Sequence, residues 1–195
     1  WTNYNLIFHE LESDSSEIIY EDDKVEVCTI PLEHRVYTNG FLFKEKEKER
    51  KLDINKALDL NIDKAYFRKL KQGFDVINES GELIKNKDVT SLGPKPKSYA
   101  FCSDTVYNES IIPIIKNTTV LYHESTFLES HKHLAKQTKH STALEAAKIA
   151  KQANVDTLIL GHYSNRYDDL ELFKTEAQEV FKKVELAKDG KTFEL

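Results

Sequence analysis

The chain contains little of several residue types: no methionine, one tryptophan, two cysteines, six glycines and four prolines among 195 residues. So little glycine and proline excludes a collagen-like or low-complexity chain, and two cysteines exclude a disulfide-stabilised scaffold. No apolar run approaches the roughly 20 residues that span a bilayer, and no signal peptide opens the chain. We therefore expect a soluble, cytoplasmic protein without a membrane partner. A chain that begins with Trp1 and lacks methionine is also expected to be a fragment or a processed form.

Charge is unevenly distributed along the sequence. The chain has 33 acidic and 28 basic residues and a net charge of −5, which argues against a wholly basic nucleic-acid-binding protein. The acidic excess lies in residues 1–33, so the remainder is net positive. Two stretches, 44–51 and 131–151, are rich in lysine and could hold a polyanion locally. Solvated surface is the alternative interpretation of both.

Hydrophobic patterning predicts an α/β protein with an insertion. Residues 1–43 and 93–195 have the strand and helix periodicities of one α/β domain, whereas 44–92 are polar, lysine-rich and typical of an inserted arm with two short helices. Asn39-Gly40 predicts a hairpin turn within the run 36–43. The other predicted strands lie at 4–8, 25–30, 99–102, 119–122, 157–160 and 192–193, and the other predicted helices at 109–115, 142–153 and 170–182.

Four polar side chains are predicted to follow strand ends: His34, Asp104, His123 and His162. Ligands gather at the carboxyl ends of strands in α/β sheets, because the loops there converge. Imidazole and carboxylate groups suit zinc, and a carboxylate can bridge two metals. The sequence thus suggests a convergent metal site, and the alternative is a set of buried, hydrogen-bonded polar residues.

A second candidate group precedes the helix predicted at 142–153. Ser141 and Thr142 would lie at the helix N-terminus, where free N–H groups attract phosphate, and His140 could transfer a proton to a phosphoryl oxygen. The alternative is that Ser141 and Thr142 only cap the helix. His131-Lys132-His133 is interpreted as a solvated loop, and Cys102 as a small core residue rather than a thiolate nucleophile.

Several short segments together resemble the ribonuclease Z family, the tRNA 3′-processing endonucleases of the metallo-β-lactamase fold. They occur in the family's order and spacing along nearly the whole chain, and the strongest are residues 140–143 and 161–167. The segments are Pro31-Leu32-Glu33-His34, Phe101-Cys102-Ser103-Asp104-Thr105, His123-Glu124-Ser125-Thr126-Phe127, His140-Ser141-Thr142-Ala143 and Gly161-His162-Tyr163-Ser164-Asn165-Arg166-Tyr167.

The resemblance implies part of an αββα sandwich and a zinc-dependent endoribonuclease that acts on precursor tRNA. His34, Asp104 and His162 match zinc ligands, with Asp104 in the position that bridges two ions, and His140 matches a histidine of phosphate contact and proton transfer. Two zinc ions per intact site, removal of the 3′ trailer to leave a 3′-hydroxyl, and a cytoplasmic homodimer are further implications. Residues 44–92 take the place of the family's tRNA-gripping arm.

One departure from the family limits this expectation. The family's His-x-His-x-Asp-His motif, which supplies the other zinc ligands and a general base, is absent from the sequence. The chain therefore resembles only the C-terminal two-thirds of such an enzyme. Two alternatives stay open: another phosphodiesterase of the same fold, and a catalytically incomplete RNA-binding fragment.

Overall fold

The computed structural model describes residues 4–194. These divide into two compact units: one combines the described residues up to 44 with those from 97 onward, and the other spans 45–96. The first strands are β1 (Ile18–Glu21), β2 (Val25–Leu32) and β3 (Thr38–Glu45). β1 pairs with β2 in antiparallel orientation. Residues 5–17 form no regular structure, so the strand predicted at 4–8 is wrong and the first strand lies within the following acidic segment.

The hairpin turn predicted at Asn39-Gly40 is wrong, because both residues lie inside the continuous strand β3. β2 likewise continues through Pro31, beyond the strand predicted at 25–30. Gly40 is needed for another reason, since a Cβ there would collide with the backbone oxygen of Phe101 on the adjacent strand β8 (Ser98–Cys102). The glycine thus permits close approach of two strands rather than a hairpin.

The second unit spans 45–96, slightly more than the arm predicted at 44–92. It has a small apolar core of its own, composed of Ala57, Ile62, Leu70, Val76 and Val89. Its elements in chain order are β4 (Lys51–Leu52), α1 (Ile54–Asp59), α2 (Phe67–Lys71), β5 (Val76–Ile77), β6 (Leu83–Ile84), α3 (Asn86–Val89) and β7 (Thr90–Ser91).

The remainder of the chain completes the α/β unit. After β8, its elements are β9 (Val120–Glu124), α4 (Lys132–Thr138), α5 (Ala143–Gln152), β10 (Thr157–Gly161), α6 (Glu171–Gln178) and β11 (Val184–Leu186). β9 extends two residues beyond its predicted end. The strand predicted at 192–193 is wrong, the segment 109–115 forms only a short 3-10 turn, and α4 replaces the loop expected around His131 to His133.

Seven strands form one mixed sheet in the order β1-β2-β3-β8-β9-β10-β11. β8, β9, β10 and β11 are parallel, so their carboxyl ends meet at one edge. Leu121, Leu158 and Leu160 are fully buried in a core with the alanines of α5 and with Phe173 of α6. The alternate side chains Tyr122 and Phe101 stack on the opposite face, 4.7 Å between ring centroids. The α/β class is confirmed.

α5 shows how local sequence sets an element of this unit. Thr142 accepts a hydrogen bond from the Glu145 N–H, and the Glu145 carboxylate accepts one from the Thr142 N–H, which completes a capping box. One face of α5 is fully buried against the core and is composed of Ala143, Ala146, Ala147 and Ala150. Their small side chains let the helix pack closely on β9 and β10. No helix among residues 4–194 is long and apolar enough to cross a membrane.

Candidate metal and proton-transfer site

Four side chains converge beside the carboxyl ends of β8, β9 and β10. Asp104 follows β8, Glu124 ends β9, His162 follows β10, and His140 lies between α4 and α5. One potential ligand atom from each lies within 4.8 Å of the others. The parallel strands place these residues together, because Gly161 pairs with Glu124 and Cys102 pairs with His123 across the ladders.

Asp104 and His162 both have left-handed backbone conformations, with φ of 57° and 59°. Such values are uncommon outside glycine, although Asp and His adopt them more readily than most residues, and they often occur at functional sites. Gly161 precedes His162, and a Cβ at this position would collide with the Tyr122 ring, so only glycine fits there. The chain therefore turns sharply after each strand and directs both side chains to the same edge.

Glu124 is the centre of the hydrogen bonding. Its carboxylate is fully buried and accepts four hydrogen bonds: from the Thr105 N–H (2.6 Å), His140 Nδ1 (2.9 Å), Thr126 Oγ1 (2.7 Å) and the Ser141 N–H (3.1 Å). Burial raises the pKa of Glu124, but the hydrogen bonds from His140 and Thr126 outweigh it and hold the pKa below its ordinary value. Because its lone pairs are occupied, Glu124 holds neighbouring groups rather than a metal.

His140 carries its proton on Nδ1, since a carboxylate can only accept. The hydrogen bond that His140 donates to Glu124 raises the pKa of His140, against an opposing effect of burial. Its ring lies 4.9 Å from that of His34 and 5.2 Å from that of His162, centroid to centroid. His140 thus has Nε2 as the nitrogen not bonded to Glu124, and beside the other two rings it is suited to hold or donate a proton.

In both His34 and His162, Nδ1 is hydrogen-bonded and Nε2 remains available as a metal ligand. Nδ1 of His34 donates to the Lys139 backbone carbonyl at 2.8 Å, which leaves Nε2 as a lone-pair donor. Nε2 of His162 lies 3.4 Å from Oδ1 of Asp104. Two ligands at about 2.0–2.1 Å from a tetrahedral ion are themselves roughly 3.3 Å apart, so this pair fits a shared zinc ion.

Of the residues predicted from the sequence, the structure brings Asp104, His140 and His162 together. His34 lies outside the four-residue cluster but adjoins His140. His123 does not join them: it points into the core, fully buried, with Nδ1 bonded to the Glu124 backbone oxygen. Its expected position after a strand is wrong because β9 continues through it. The same extension makes Glu124, which was not predicted as a site residue, the last residue of β9.

Ser141 and Thr142 are fully buried. Their N–H groups bond to Glu124 and Glu145, and their hydroxyls bond to the Thr105 carbonyl and to Glu129. This arrangement favours the capping alternative, and phosphate binding by these two residues stays a prediction.

Cys102 is also fully buried, and burial raises the pKa of its thiol to about 12, which excludes a thiolate nucleophile near neutral pH.

Comparison with known proteins identifies relatives of this chain. No family model matches the chain. The chain is 44% identical over 191 residues to a ribonuclease Z of Cytophaga hutchinsonii, which covers 97% of this chain and 61% of the relative. It is 42% identical over 179 residues to a ribonuclease Z of Porphyromonas gingivalis, covering 92% and 59%. The chain is similar to ribonuclease Z along nearly its whole length. It spans about three fifths of the length of these relatives.

Solved structures show the fold. The metallo-β-lactamase fold protein YhfI from Bacillus subtilis matches with a TM-score of 0.57 at 17% identity, over 89% of this chain and 51% of that one. A long-form RNase Z from yeast matches with a TM-score of 0.54 at 17% identity, over 88% and 18%. The resemblance to ribonuclease Z and the metallo-β-lactamase fold predicted from the sequence are both confirmed.

Proposed function

We propose that this chain forms the metal-binding and proton-transfer part of a zinc-dependent endoribonuclease that removes the 3′ trailer from tRNA precursors and leaves a 3′-hydroxyl on the tRNA. The observation that carries the proposal is the convergence of Asp104, His162 and His140 at one sheet edge, in a chain similar to ribonuclease Z. His34, Asp104 and His162 would hold zinc, two ions in an intact site, with Asp104 between them.

Zinc held there would supply a Lewis acid that polarises the scissile phosphate. The protein's own contribution is proton handling. Glu124 fixes Nδ1–H of His140 and stabilises its imidazolium form, so that Nε2–H can donate to the oxygen that leaves with the tRNA. The raised pKa of His140 favours the protonated form that this donation requires.

An RNA substrate is supported by the cavity next to His140. The cavity has a volume of about 380 Å³, and Val106 and Tyr107 supply apolar surface on its wall. Lys132 and Lys139 are held in place by ion pairs with Glu129 and Glu33. Space of this size beside the proton-transfer histidine, with cationic groups around it, suits a nucleotide and its phosphate. The cavity is lined by Glu33, Val106, Tyr107, Lys132, Lys136, Lys139, His140 and Glu145.

The direct test uses a chimera in which this chain replaces the matched part of the Porphyromonas gingivalis ribonuclease Z. The chimera should cut a precursor tRNA and leave a 3′-hydroxyl, as shown by mapping of both product ends. H140A in the chimera should lower the cleavage rate by about 10²–10⁴-fold, the usual contribution of general acid–base catalysis.

The matched control is H133A, since His133 lies on α4 outside the cluster. It should cleave at the rate of the unmodified chimera. A folded chimera that binds precursor tRNA without cutting it would contradict the proposal and favour the RNA-binding alternative. Cleavage of small phosphodiesters alone would favour another phosphodiesterase of this fold. The same preparation tests the expected homodimer by light scattering, and the cytoplasmic location stays a prediction.

A further inference from the structure

A continuous hydrogen-bonded path joins Glu124 to His162 through the side chain of Thr126. The Thr126 hydroxyl lies 2.7 Å from Oε2 of Glu124 and 2.8 Å from Nδ1 of His162. Thr126 is 7% exposed and lies two residues beyond the end of β9. It is thus a buried hydroxyl placed between a buried carboxylate and a histidine of the candidate metal site.

The direction of each hydrogen bond follows from counting protons. A hydroxyl has one proton, and an ionised carboxylate has none to give. Glu124 accepts from three other donors, as described above, so Thr126 gives its only proton to Oε2 of Glu124. The Thr126 oxygen is then available to His162 only as an acceptor, and Nδ1 of His162 must carry the proton.

This tautomer has a consequence at the other nitrogen. In neutral His162 with its proton on Nδ1, Nε2 is a lone pair that faces Oδ1 of Asp104 at 3.4 Å. Two acceptors facing each other at this distance repel unless a cation lies between them. The opposite tautomer would instead place a proton between Nε2 and Asp104, and that proton would occupy the ligand position.

We propose that Thr126 is a positioning residue that fixes the tautomer and ring orientation of His162, so that Glu124 controls His162 through Thr126 and His140 directly. The proposal rests on the proposed function only for the identity of the ion as zinc. His162 needs such a partner because its side chain is 40% exposed and would otherwise exchange tautomers and ring orientations in contact with water. Hydrogen-bonded partners of metal-binding histidines typically contribute 10–100-fold to metal affinity.

The test compares T126V, which removes the hydroxyl at nearly constant shape, with T126S, which keeps it. The first measurement is the tautomer of His162 in the metal-free protein, from long-range ¹H–¹⁵N correlation spectra at a pH where imidazoles are neutral. The unmodified chain and T126S should show His162 protonated on Nδ1. T126V should shift His162 toward the Nε2-protonated form, whereas His140, which bonds to Glu124 directly, should keep its proton on Nδ1.

The second measurement is zinc affinity, from competition with a chromophoric chelator. T126V should weaken zinc binding by about 10–100-fold, and T126S should restore most of it. The matched control is T118V: Thr118 is 2% exposed and its hydroxyl donates to the Ile115 carbonyl, away from the site. T118V loses a buried threonine hydroxyl too, and should leave both the His162 tautomer and zinc affinity unchanged.

Three results would overturn the proposal. One is an Nε2-protonated His162 in the unmodified chain, which needs no variant to observe. The second is T126V with an unchanged tautomer and a zinc affinity within about twofold of the unmodified chain. The third is an equal loss of affinity in T126V and T118V, which would mean a general effect on stability. None of these readouts involves RNA, so a failure of the proposed endoribonuclease activity would be recognised separately.

Discussion

At the scale of single residues, Glu124 determines how the site is arranged. Its carboxylate satisfies the Thr105 and Ser141 N–H groups, orients His140 directly and reaches His162 through Thr126. A buried carboxylate is costly unless it is fully hydrogen-bonded. Here every donor around it comes from a loop that carries or adjoins a site residue, so the interactions that stabilise the charge also position the functional side chains.

E124Q should therefore change both stability and the titration of His140. In E124Q an NH₂ group replaces one carboxylate oxygen, and it cannot accept the hydrogen bonds that the surrounding N–H and O–H groups donate. The free energy of unfolding should therefore fall by about 1–3 kcal/mol. The pKa of His140 in the metal-free protein should fall, because the acceptor that raises it is gone. NMR titration of the His140 ring and urea denaturation measure the two effects.

The pH dependence of that loss follows from the two pKa shifts. His140 has a raised pKa, so its stabilisation is fully present below the ordinary imidazole value of 6.5 and is lost as pH rises through its folded pKa. Glu124 has a lowered pKa, so its contribution is present above the ordinary value of 4.5 and is lost as pH falls. The stability difference between the unmodified chain and E124Q should be largest from about pH 4.5 to 6.5 and shrink at higher pH. E179Q, at an exposed residue directly after α6, is the control. A stability difference between the unmodified chain and E124Q that is equal at all pH values would contradict the ion pair.

At the scale of elements, two glycines allow neighbouring strands and side chains to approach closely. A Cβ at Gly40 would meet the backbone oxygen of Phe101, whereas a Cβ at Gly161 would meet the ring of Tyr122. Backbone cannot move without breaking the β3–β8 ladder, but a side chain can be shortened. The two positions should thus respond differently to the same substitution.

Both G40A and G161A should lower the free energy of unfolding, by about 1–3 kcal/mol or more, as overpacking usually does. G161A should lower the free energy of unfolding less in a Y122A background than in the unmodified chain, because the ring that collides with the new Cβ is gone. Y122A should not rescue G40A. Urea denaturation of the single and double variants measures the coupling, and additive losses for G161A with Y122A would contradict the contact.

The unit formed by residues 45–96 has a basic cavity of about 740 Å³. Arg50, Lys51, Arg68 and Lys71 line it together with Glu49, and the Arg50 side chain is held by a hydrogen bond to Thr90. The resemblance to ribonuclease Z suggests that this unit contacts tRNA. The basic cavity is where we expect that contact, because clustered cations around a concave surface bind phosphate chains.

The variant R68A/K71A should weaken precursor-tRNA binding and reduce the steepness of its salt dependence, since each lost phosphate contact lowers the slope of log K against log salt by about 0.7–0.9. K182A/K183A, in the other unit, removes the same charge and is the control. Filter binding over a range of salt concentrations measures both. An unchanged slope in R68A/K71A would place the tRNA contact elsewhere.

Sequence reasoning located β8, β9, β10 and α5, because continuous apolar runs and a capping box are local signals, but it missed the parallel strand β11. It therefore also placed Asp104 and His162 together. It missed α4, where only Ala135 is buried and the helical pattern is weak. It missed Glu124, because a carboxylate at the end of a buried strand is stabilised by donors far away in sequence, such as Thr105 and Ser141. No local pattern shows such partners.

At the scale of the whole molecule, the described residues supply an incomplete set of metal ligands. Asp104 and His162 face each other, the His140 ring lies beside that of His162 and the His34 ring beside that of His140, whereas Glu124 is occupied by hydrogen bonds. A dizinc centre needs about four ligands for each ion. The chain spans about three fifths of the length of its ribonuclease Z relatives. We therefore expect this chain by itself to hold one zinc ion tightly rather than two.

The most direct test of the account is zinc binding to the 195-residue chain, measured by elemental analysis and competition titration. The unmodified chain should bind one zinc ion, and D104N and H162N should each lose most of that affinity, with asparagine chosen because it tolerates the left-handed backbone at both positions. The double variant should lose little more, since both side chains serve one ion, and H133N with D189N should bind as the unmodified chain does. Zinc binding that survives both D104N and H162N, or two tightly held ions, would contradict the shared site.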